Sequence, residues 1–387
     1  MDNTWIIFIL GGAIGAVVTL ALANRRQVGK STGVPENPEA KAAVDLPLML
    51  DALDEAILVI DQDKTIVLAN HACRKFFPAV VELPGRRLPA VILDPRLNDA
   101  VDACLADATP ASMAMRDDTA GESHWLANIA RLPQTNGRRL VRVIIRDETE
   151  RAQTEQIRRE FVANASHELR TPLTIVHGYI ESLLDGACDQ PELARRFLKT
   201  ARRHTERMAR LIEDMLSIAK LESSDTGLLK IKEFSLSKCL RRVTDNLGPL
   251  LEQQQVHMDI GIDPAVERIV GDRFYWEQIL FNLIENATKN NPQPGLTVKV
   301  TATRMDDGQV EIVIADNGLG IPKAALPFIF KRFYRVQKDH STEIPGTGLG
   351  LSIVKRAVEA HGGNIRVESQ PGLRTAFTIL LPPAVAG

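Results

Sequence analysis

Hydrophobic and polar positions change their rhythm along the chain, and each change marks an element. From Thr4 to Ala23 the sequence TWIIFILGGAIGAVVTLALA carries no charge, a length that suits an α-helix crossing the hydrocarbon core of a bilayer. Trp5 suits an interfacial anchor; Asp2 alone precedes it in charge, and Arg25, Arg26 and Lys30 follow at once. That bias predicts a single-pass anchor over residues 1–26, with a short N-terminus outside and the bulk of the chain on the cytoplasmic side of the inner membrane. Ala21-Leu22-Ala23 also has the form of a signal-peptide cleavage site, but the basic leader and shorter apolar core of a signal peptide are missing. Gly11 and Gly15 are spaced to let two such helices approach closely. No later stretch is apolar enough for a second span, so no external domain is expected.

Residues 27–45 (QVGKSTGVPENPEAKAAVD) are polar, hold two prolines and show no apolar period, which reads as a linker. Residues 46–147 predict a mixed α/β domain. Within it, Ala56–Asp61, a turn at Gln62-Asp63-Lys64, and Thr65–Asn70 form a hairpin pattern. A helical stretch follows, and His124–Leu132 and Arg139–Asp147 read as strands; His71 and His124 fall at surface or strand positions.

Over residues 148–225 the period becomes helical. Glu148–Leu184 predicts one helix, and Pro191 opens a second as its first residue. On that second helix Phe197, Ala201, His204, Met208, Leu211, Met215 and Ile218 recur at alternating steps of four and three, the core seam of a coiled coil or bundle. Two helices with one apolar stripe each cannot bury it alone. An antiparallel hairpin that dimerises into a four-helix bundle is the economical arrangement. Residues 226–387 return to α/β, with strands at Thr297–Arg304 and Val310–Asp316 around an Asp306-Asp307-Gly308 turn. A final hairpin runs from Asn364–Ser369 through Gln370-Pro371-Gly372 to Leu373–Leu381.

Composition narrows the function. At 387 residues the chain exceeds a usual single domain. Hydrophobic residues at 44% and charged ones at 25% exclude wholesale disorder. The 47 Lys+Arg nearly cancel the 49 Asp+Glu, which gives no electrostatic footprint for nucleic acid. Cys73, Cys104, Cys188 and Cys239 lie far apart, against both a disulfide framework and a cysteine zinc site.

Four segments carry chemistry. In SHELRTP (Ser166–Pro172), Glu168 puts a carboxylate beside the His167 imidazole, able to hold one ring N–H and leave the other nitrogen nucleophilic. Thr171 lies one turn along the same face, and Pro172 removes a backbone donor and should bend the helix there. The residues alone leave an activated and a structural histidine evenly matched. In the helix after Asp272, Trp276, Ile279, Leu280, Leu283, Ile284 and Ala287 form the buried stripe, and Asn282, Asn286 and Lys289 share the opposite face. Amide oxygens suit Mg²⁺ and Lys289 suits phosphate, although a solvated polar face gives the same pattern. Finally, ADNGLGIP (Ala315–Pro322) ends a strand on Asp316, with Gly318 and Gly320 allowing close approach; an ordinary turn reads the same way. GTGLGLSIVK places Gly346, Gly348 and Gly350 at a helix start, where backbone N–H groups bind phosphate oxygens. The stretch between Gly320 and Gly346, containing FKRFYRV (Phe330–Val336), has the making of a lid.

FVANASHELRTPLTIVHGYIESL resembles the phospho-acceptor helix of bacterial two-component sensor histidine kinases, of the phosphate-regulon sensor type. The later segments resemble the N, G1, F and G2 boxes of the histidine kinase ATP-binding domain, an α/β sandwich shared with gyrase, Hsp90 and MutL proteins. VIDQDKTIVLANHACRKFF resembles a PAS sensory domain. The resemblance implies a multidomain α and α/β chain: a transmembrane anchor (1–26), a linker (27–45), a PAS-like domain (46–147), a dimerisation and phosphotransfer hairpin (148–225) and an ATP-binding domain (226–387). It implies that His167 is phosphorylated from ATP with Glu168 assisting as base, and that Thr171 helps position water for dephosphorylation of the partner. Asn286 would then be the Mg²⁺ ligand with Asn282 and Lys289 nearby. Asp316 would read adenine, Gly318 and Gly320 would approach the nucleotide, and the three later glycines would line the phosphates. The implied partners are a second copy of the chain and a response regulator receiver domain, with a membrane-protein signalling partner as one source of input, in a phosphate-uptake context. The sequence departs from the family at Asn290, where an aromatic or histidine usually packs on the base. A non-catalytic scaffold and an ATP-driven clamp are the competing readings. Intact His167, Glu168, Asn286 and Asp316 oppose the first, and SHELRTP beside a dimer seam opposes the second.

Overall fold

The computed structural model describes residues 46–80, 82–117, 123–133, 138–222, 229–289, 291, 295–336 and 346–383. The expected anchor and linker (1–45), Asn290 and the stretch 337–345 of the expected lid lie outside the described residues. The chain divides into two compact units, Met1–Arg159 and Glu160–Gly387.

In the first unit a short helix α1 (Leu46–Asp51) precedes the expected hairpin, β1 (Ala56–Ile60) and β2 (Ile66–Ala69). Helices α2 (Cys73–Phe76), α3 (Leu88–Val91) and α4 (Pro95–Asp107) follow, then β3 (Ala111–Asp117), β4 (Ser123–Arg131) and β5 (Val141–Asp147). The five strands form one antiparallel sheet in the order β2-β1-β5-β4-β3. Every residue of β1 is buried, because both sheet faces are covered there. Leu97, Val101, Cys104 and Leu105 of α4 pack with Leu58, Ile60, Val143 and Ile145 on one face, and Leu50 meets Ile57 and Ile144 on the other. Asp94 caps α4 by accepting from the Arg96 amide, with Pro95 in the first turn where no N–H is needed. Buried Asn70 ties the hairpin to α1: its side chain accepts from the Ile57 amide at 2.8 Å and donates to the Leu50 carbonyl at 2.8 Å.

Helix α5 (Thr149–Leu184) is followed by the Gly186 turn (φ +107°) and α6 (Pro191–Glu222). The helix runs continuously through Pro172, which is buried and withdraws the backbone donor that would otherwise reach the Glu168 carbonyl. On α6 the expected seam is the inward face: Leu211 and Ile218 are buried, and Phe197, Ala201, His204, Met208 and Met215 half-buried. The ring of Phe197 packs against Tyr179 of α5 with centroids 4.8 Å apart.

The rest of the second unit is a sandwich. Strand β6 (Lys232–Ser235) pairs with β8 (Arg268–Gly271), and α7 (Leu236–Gln253) and β7 (His257–Ile262) lie between them in sequence. Helix α8 (Arg273–Lys289), β9 (Thr297–Arg304) and β10 (Val310–Asp316) precede α9 (Gly350–Ala360), β11 (Asn364–Gln370) and β12 (Arg374–Leu381). The large sheet runs β11-β12-β10-β9-β7, antiparallel except for the parallel β7–β9 pair. The predicted stripe of α8 is buried as expected, from Trp276 to Ala287, and meets Val298, Val300, Ile312, Ile314 and Ile379 of the sheet. Among the described residues no helix is long and apolar enough to cross a membrane.

Candidate functional site: a nucleotide cleft beside a histidine hairpin

With one face of α8 committed to the sheet, its other face is left to line a cleft of about 1240 Å³. Asn282, Asn286 and Lys289 all line it, as do Asp316, Gly320, Gly346, Gly348 and Gly350. Residues spread over some seventy positions of sequence thus converge; Gly318, of the same expected set, does not line the cleft and faces the Asn291 amide instead. The Asn282 Nδ2 atom is buried and has no hydrogen-bond partner among the described residues. Lys289 Nζ lies 2.7 Å from Glu285 Oε1, one helical turn back. Asp272 starts α8 by accepting from the Phe274 amide at 2.9 Å.

At the end of β10, Asp316 is buried, and Gly318 donates its backbone N–H to Asp316 Oδ1 at 2.9 Å. Burial raises the Asp316 carboxyl above its ordinary range, and the Gly318 and Asn291 donors pull it back. Gly320 has φ +71°, and a Cβ on it would stand 2.5 Å from the Gln370 carbonyl oxygen, so only glycine fits this turn. The later glycines are similarly constrained by their surroundings. Gly348 (φ +71°) would put a Cβ 2.8 Å from the Phe333 Cα, and a Cβ on Gly350 would stand 2.8 Å from Asn282 Oδ1. Helix α9 begins at Gly350, so the three glycines lead into a helix start, where backbone N–H groups are left unpaired by the helix itself. No cluster of three or more His, Cys, Asp or Glu able to hold a metal occurs among the described residues. The amide oxygen of Asn286 and the carboxylate of Glu285 both line the cleft, and hard oxygens of this kind are the ligand type that suits Mg²⁺.

His167 is exposed on α5 and does not line the cleft; nor do Glu168 and Thr171. The expected carboxylate–imidazole contact is replaced by another. Glu168 Oε2 accepts from Arg207 Nη2 of α6 at 3.2 Å. Successive side chains on a helix project about 100° apart, so Glu168 reaches the imidazole only by swinging its side chain, and in this conformation the Arg207 guanidinium holds it on the other side. Thr171 does share the face of His167, and its Oγ1 donates to the His167 carbonyl at 3.3 Å.

The structure adds residues that the motifs did not single out. Asn291 bridges Asp316 to the turn after it. Asp214 of α6 accepts from Thr347 Oγ1 at 2.9 Å. Phe161 of α5 packs on Phe333 at 5.8 Å, and Arg332 pairs with Glu222. The hairpin and the nucleotide loop therefore meet through a small apolar cluster of Leu211, Ile218, Leu349 and Ile353.

Comparison with known proteins follows the same division. The model for the PAS fold matches residues 50–153, that for the His Kinase A (phospho-acceptor) domain matches 157–224, and that for the histidine kinase-, DNA gyrase B-, and HSP90-like ATPase matches 271–385. Sensor histidine kinase WalK of Bacillus subtilis is 37% identical over 239 residues, covering 62% of this chain and 39% of that protein. Sensor protein kinase WalK of Staphylococcus epidermidis is 40% identical over 243 residues, again 62% and 39%. The chain thus spans well under half the length of these relatives. Among solved structures, histidine kinase AdeS of Acinetobacter baumannii is 24% identical with a TM-score of 0.46, covering 57% of this chain and 98% of that one. With a phospho-acceptor hairpin and a histidine kinase-type ATPase module in tandem after a PAS fold, the chain belongs to the bacterial two-component sensor histidine kinases.

Proposed function

We propose that this protein phosphorylates itself on His167 from ATP and passes the phosphoryl group to an aspartate of a response regulator receiver domain. One observation carries the reading. The cleft that gathers Asn282, Asn286, Asp316 and the Gly346–Gly350 loop belongs to the same compact unit as the hairpin bearing His167. The cleft is large enough for a nucleotide, and its unpartnered Asn282 Nδ2 and the open space beside Gly346 suit a polyphosphate lying against backbone.

Asp316 receives the exocyclic amine of adenine, and the backbone N–H groups at the start of α9 receive phosphate oxygens. Lys289 adds positive charge, and Asn286 holds Mg²⁺, which when bound neutralises phosphate charge. A ring nitrogen of His167 attacks the γ-phosphorus in line, the bond to the β–γ bridging oxygen breaks, and ADP leaves. Glu168, released from Arg207, takes the imidazole proton. Phosphohistidine then transfers its phosphoryl group to a carboxylate of the receiver, forming an acyl phosphate. Thr171, on the face of His167, positions a water that hydrolyses this acyl phosphate to the free carboxylate and inorganic phosphate. Because His167 lies outside the cleft in this conformation, transfer requires either a shift between the two modules of the second unit or the cleft of the second copy in the dimer.

The functional form is a homodimer. Leu173, Ile180 and Leu184 of α5 and Leu198 and Leu216 of α6 are 48–80% exposed in the single hairpin, and a second copy would cover them. The chain is anchored in the inner membrane by the uncharged segment Thr4–Ala23 and its basic flank. Input reaches the PAS-like domain from the cytoplasm or from a membrane partner. A phosphate-uptake context rests on the likeness of the SHELRTP region to phosphate-regulon sensors.

The test is labelling with γ-labelled ATP and Mg²⁺. Wild type should gain acid-labile, alkali-stable label. His167→Gln should lose the label and keep ATP binding, and Asp316→Asn should lose both. Acid-labile label persisting on His167→Gln would overturn the assignment.

A further inference from the structure

Asn291 stands just beyond α8, and only 5% of its surface is exposed. Its Nδ2 donates to the Ala287 carbonyl at 2.7 Å and to Asp316 Oδ1 at 3.2 Å, while its Oδ1 accepts from the Leu319 amide at 2.6 Å. A carbonyl and a carboxylate only accept, and a backbone N–H only donates, so these partners admit one orientation of the amide. A serine or threonine hydroxyl has one proton and cannot serve both acceptors. An aspartate would face Asp316 with like charge. The amide thus joins three segments: the last turn of α8, the end of β10, and the turn after it. The fit is tight, since a Cβ on Gly318 would fall inside the Asn291 amide.

The consequence falls on Asp316. Its Oδ1 takes two hydrogen bonds, from Asn291 and from the Gly318 amide, and among the described residues its Oδ2 takes none. With Oδ1 pinned, the carboxylate plane cannot turn and Oδ2 keeps one direction, on a residue that itself lines the cleft. We propose that Asn291 is a positioning residue that sets the purine preference of the cleft, by pinning Asp316 Oδ1 so that Oδ2 meets a ring amine and repels a ring carbonyl. The inference rests on the reading of Asp316 as the adenine contact. An aminopurine donates to the carboxylate; an oxopurine presents an acceptor against it. Burial already pushes the Asp316 carboxyl upward, with Gly318 and Asn291 holding it down. Loss of Asn291 moves it towards the protonated form, which donates and so accepts an oxopurine.

The experiment measures binding of ATP and inosine triphosphate, whose ring carries oxygen in place of the amine, to the full chain. Wild type, Asn291→Ala and Asn291→Ser are compared, with circular dichroism as the folding control. Wild type should prefer ATP. Asn291→Ala should weaken ATP about ten-fold, the worth of one oriented charge-assisted hydrogen bond, while inosine triphosphate is unchanged or tighter. Asn291→Ser should lower the same preference less, and it becomes the deciding variant if the alanine variant misfolds. A ratio of the two affinities within about two-fold of wild type overturns the proposal, even if both nucleotides bind more weakly, because a merely structural residue affects both alike. A wild-type chain that binds both nucleotides equally contradicts the adenine role of Asp316 itself, and the proposal falls with it. The two failures are therefore distinguishable.

Discussion

Thr347, in the loop leading into α9, donates its hydroxyl to Asp214 of α6 at 2.9 Å, and the same hydroxyl accepts from the Leu349 amide at 3.3 Å. A single side chain thus shapes the glycine loop before α9 and fastens it to the histidine-bearing hairpin. The contact is buried enough to push the Asp214 carboxyl up from its ordinary value to about 6, chiefly through desolvation. Thr347 and Arg210 pull it down, while Glu285 on α8 and Glu213 on α6 push it further up.

This shift fixes a direction for pH. Asp214 is protonated more readily in the packed arrangement than in an opened one, so packing gains stability as pH falls from 6 towards 4 and is weakest above 6. Asp214→Asn keeps an acceptor for Thr347 and removes the buried charge. After allowance for partial solvent screening it should raise stability at pH 7 by about 1 kcal/mol, roughly 2–4 °C in melting temperature, and flatten the dependence between pH 4 and 6. Melting curves across that range check it; a destabilised Asp214→Asn at neutral pH would contradict it.

Gly348 and Gly346 should respond differently to alanine. At Gly348 the positive φ and the Phe333 backbone both resist a Cβ, and Gly348→Ala should cost about 1–3 kcal/mol together with ATP binding. At Gly346 a Cβ meets nothing within 4 Å among the described residues. Gly346→Ala should therefore change stability by less than about 0.5 kcal/mol and yet weaken ATP, since that open space is where phosphate would lie. Thermal melts and nucleotide titration of the two variants separate the cases.

Glu168 should act on chemistry without touching nucleotide affinity, because it does not line the cleft. Glu168→Gln should slow autophosphorylation by about 10²-fold or more, with ATP affinity changed less than about two-fold. Arg207→Ala breaks an ion pair between partly exposed groups, worth less than about 1 kcal/mol, and frees the carboxylate. Labelling should rise. A fall would mean that Arg207 serves the transfer step rather than restraining the base.

Much of the fold is legible in the order of residues alone. The first hairpin, the long helix through Pro172, the seam from Phe197 to Ile218 and the stripe from Trp276 to Ala287 all follow from apolar periods that packing then respects. The glycine motifs place the cleft. Strand β3 is hidden because ASMAMRD is made of residues with little strand preference, held in place by its pairing with β4. Asn291 sits in Asn-Asn-Pro, which reads as a turn, and acquires its role only when the Gly318 loop closes over it. Asp214 follows Glu213 on a heavily charged helix, so its burial depends on the approach of Thr347 across 133 residues of sequence. The expected pairing of Glu168 with His167 fails for a reason visible in the helix period, and its partner Arg207 is 39 residues away on the other arm of the hairpin.

The most direct measurement is peptide mass spectrometry of full-length protein incubated with ATP and Mg²⁺ and kept at alkaline pH. The account predicts a single phosphoryl group on the peptide containing His167, absent when Asp316→Asn protein is used and removed by acid. A phosphoryl group on any other residue, or one on His167 that survives the loss of Asp316, would contradict it.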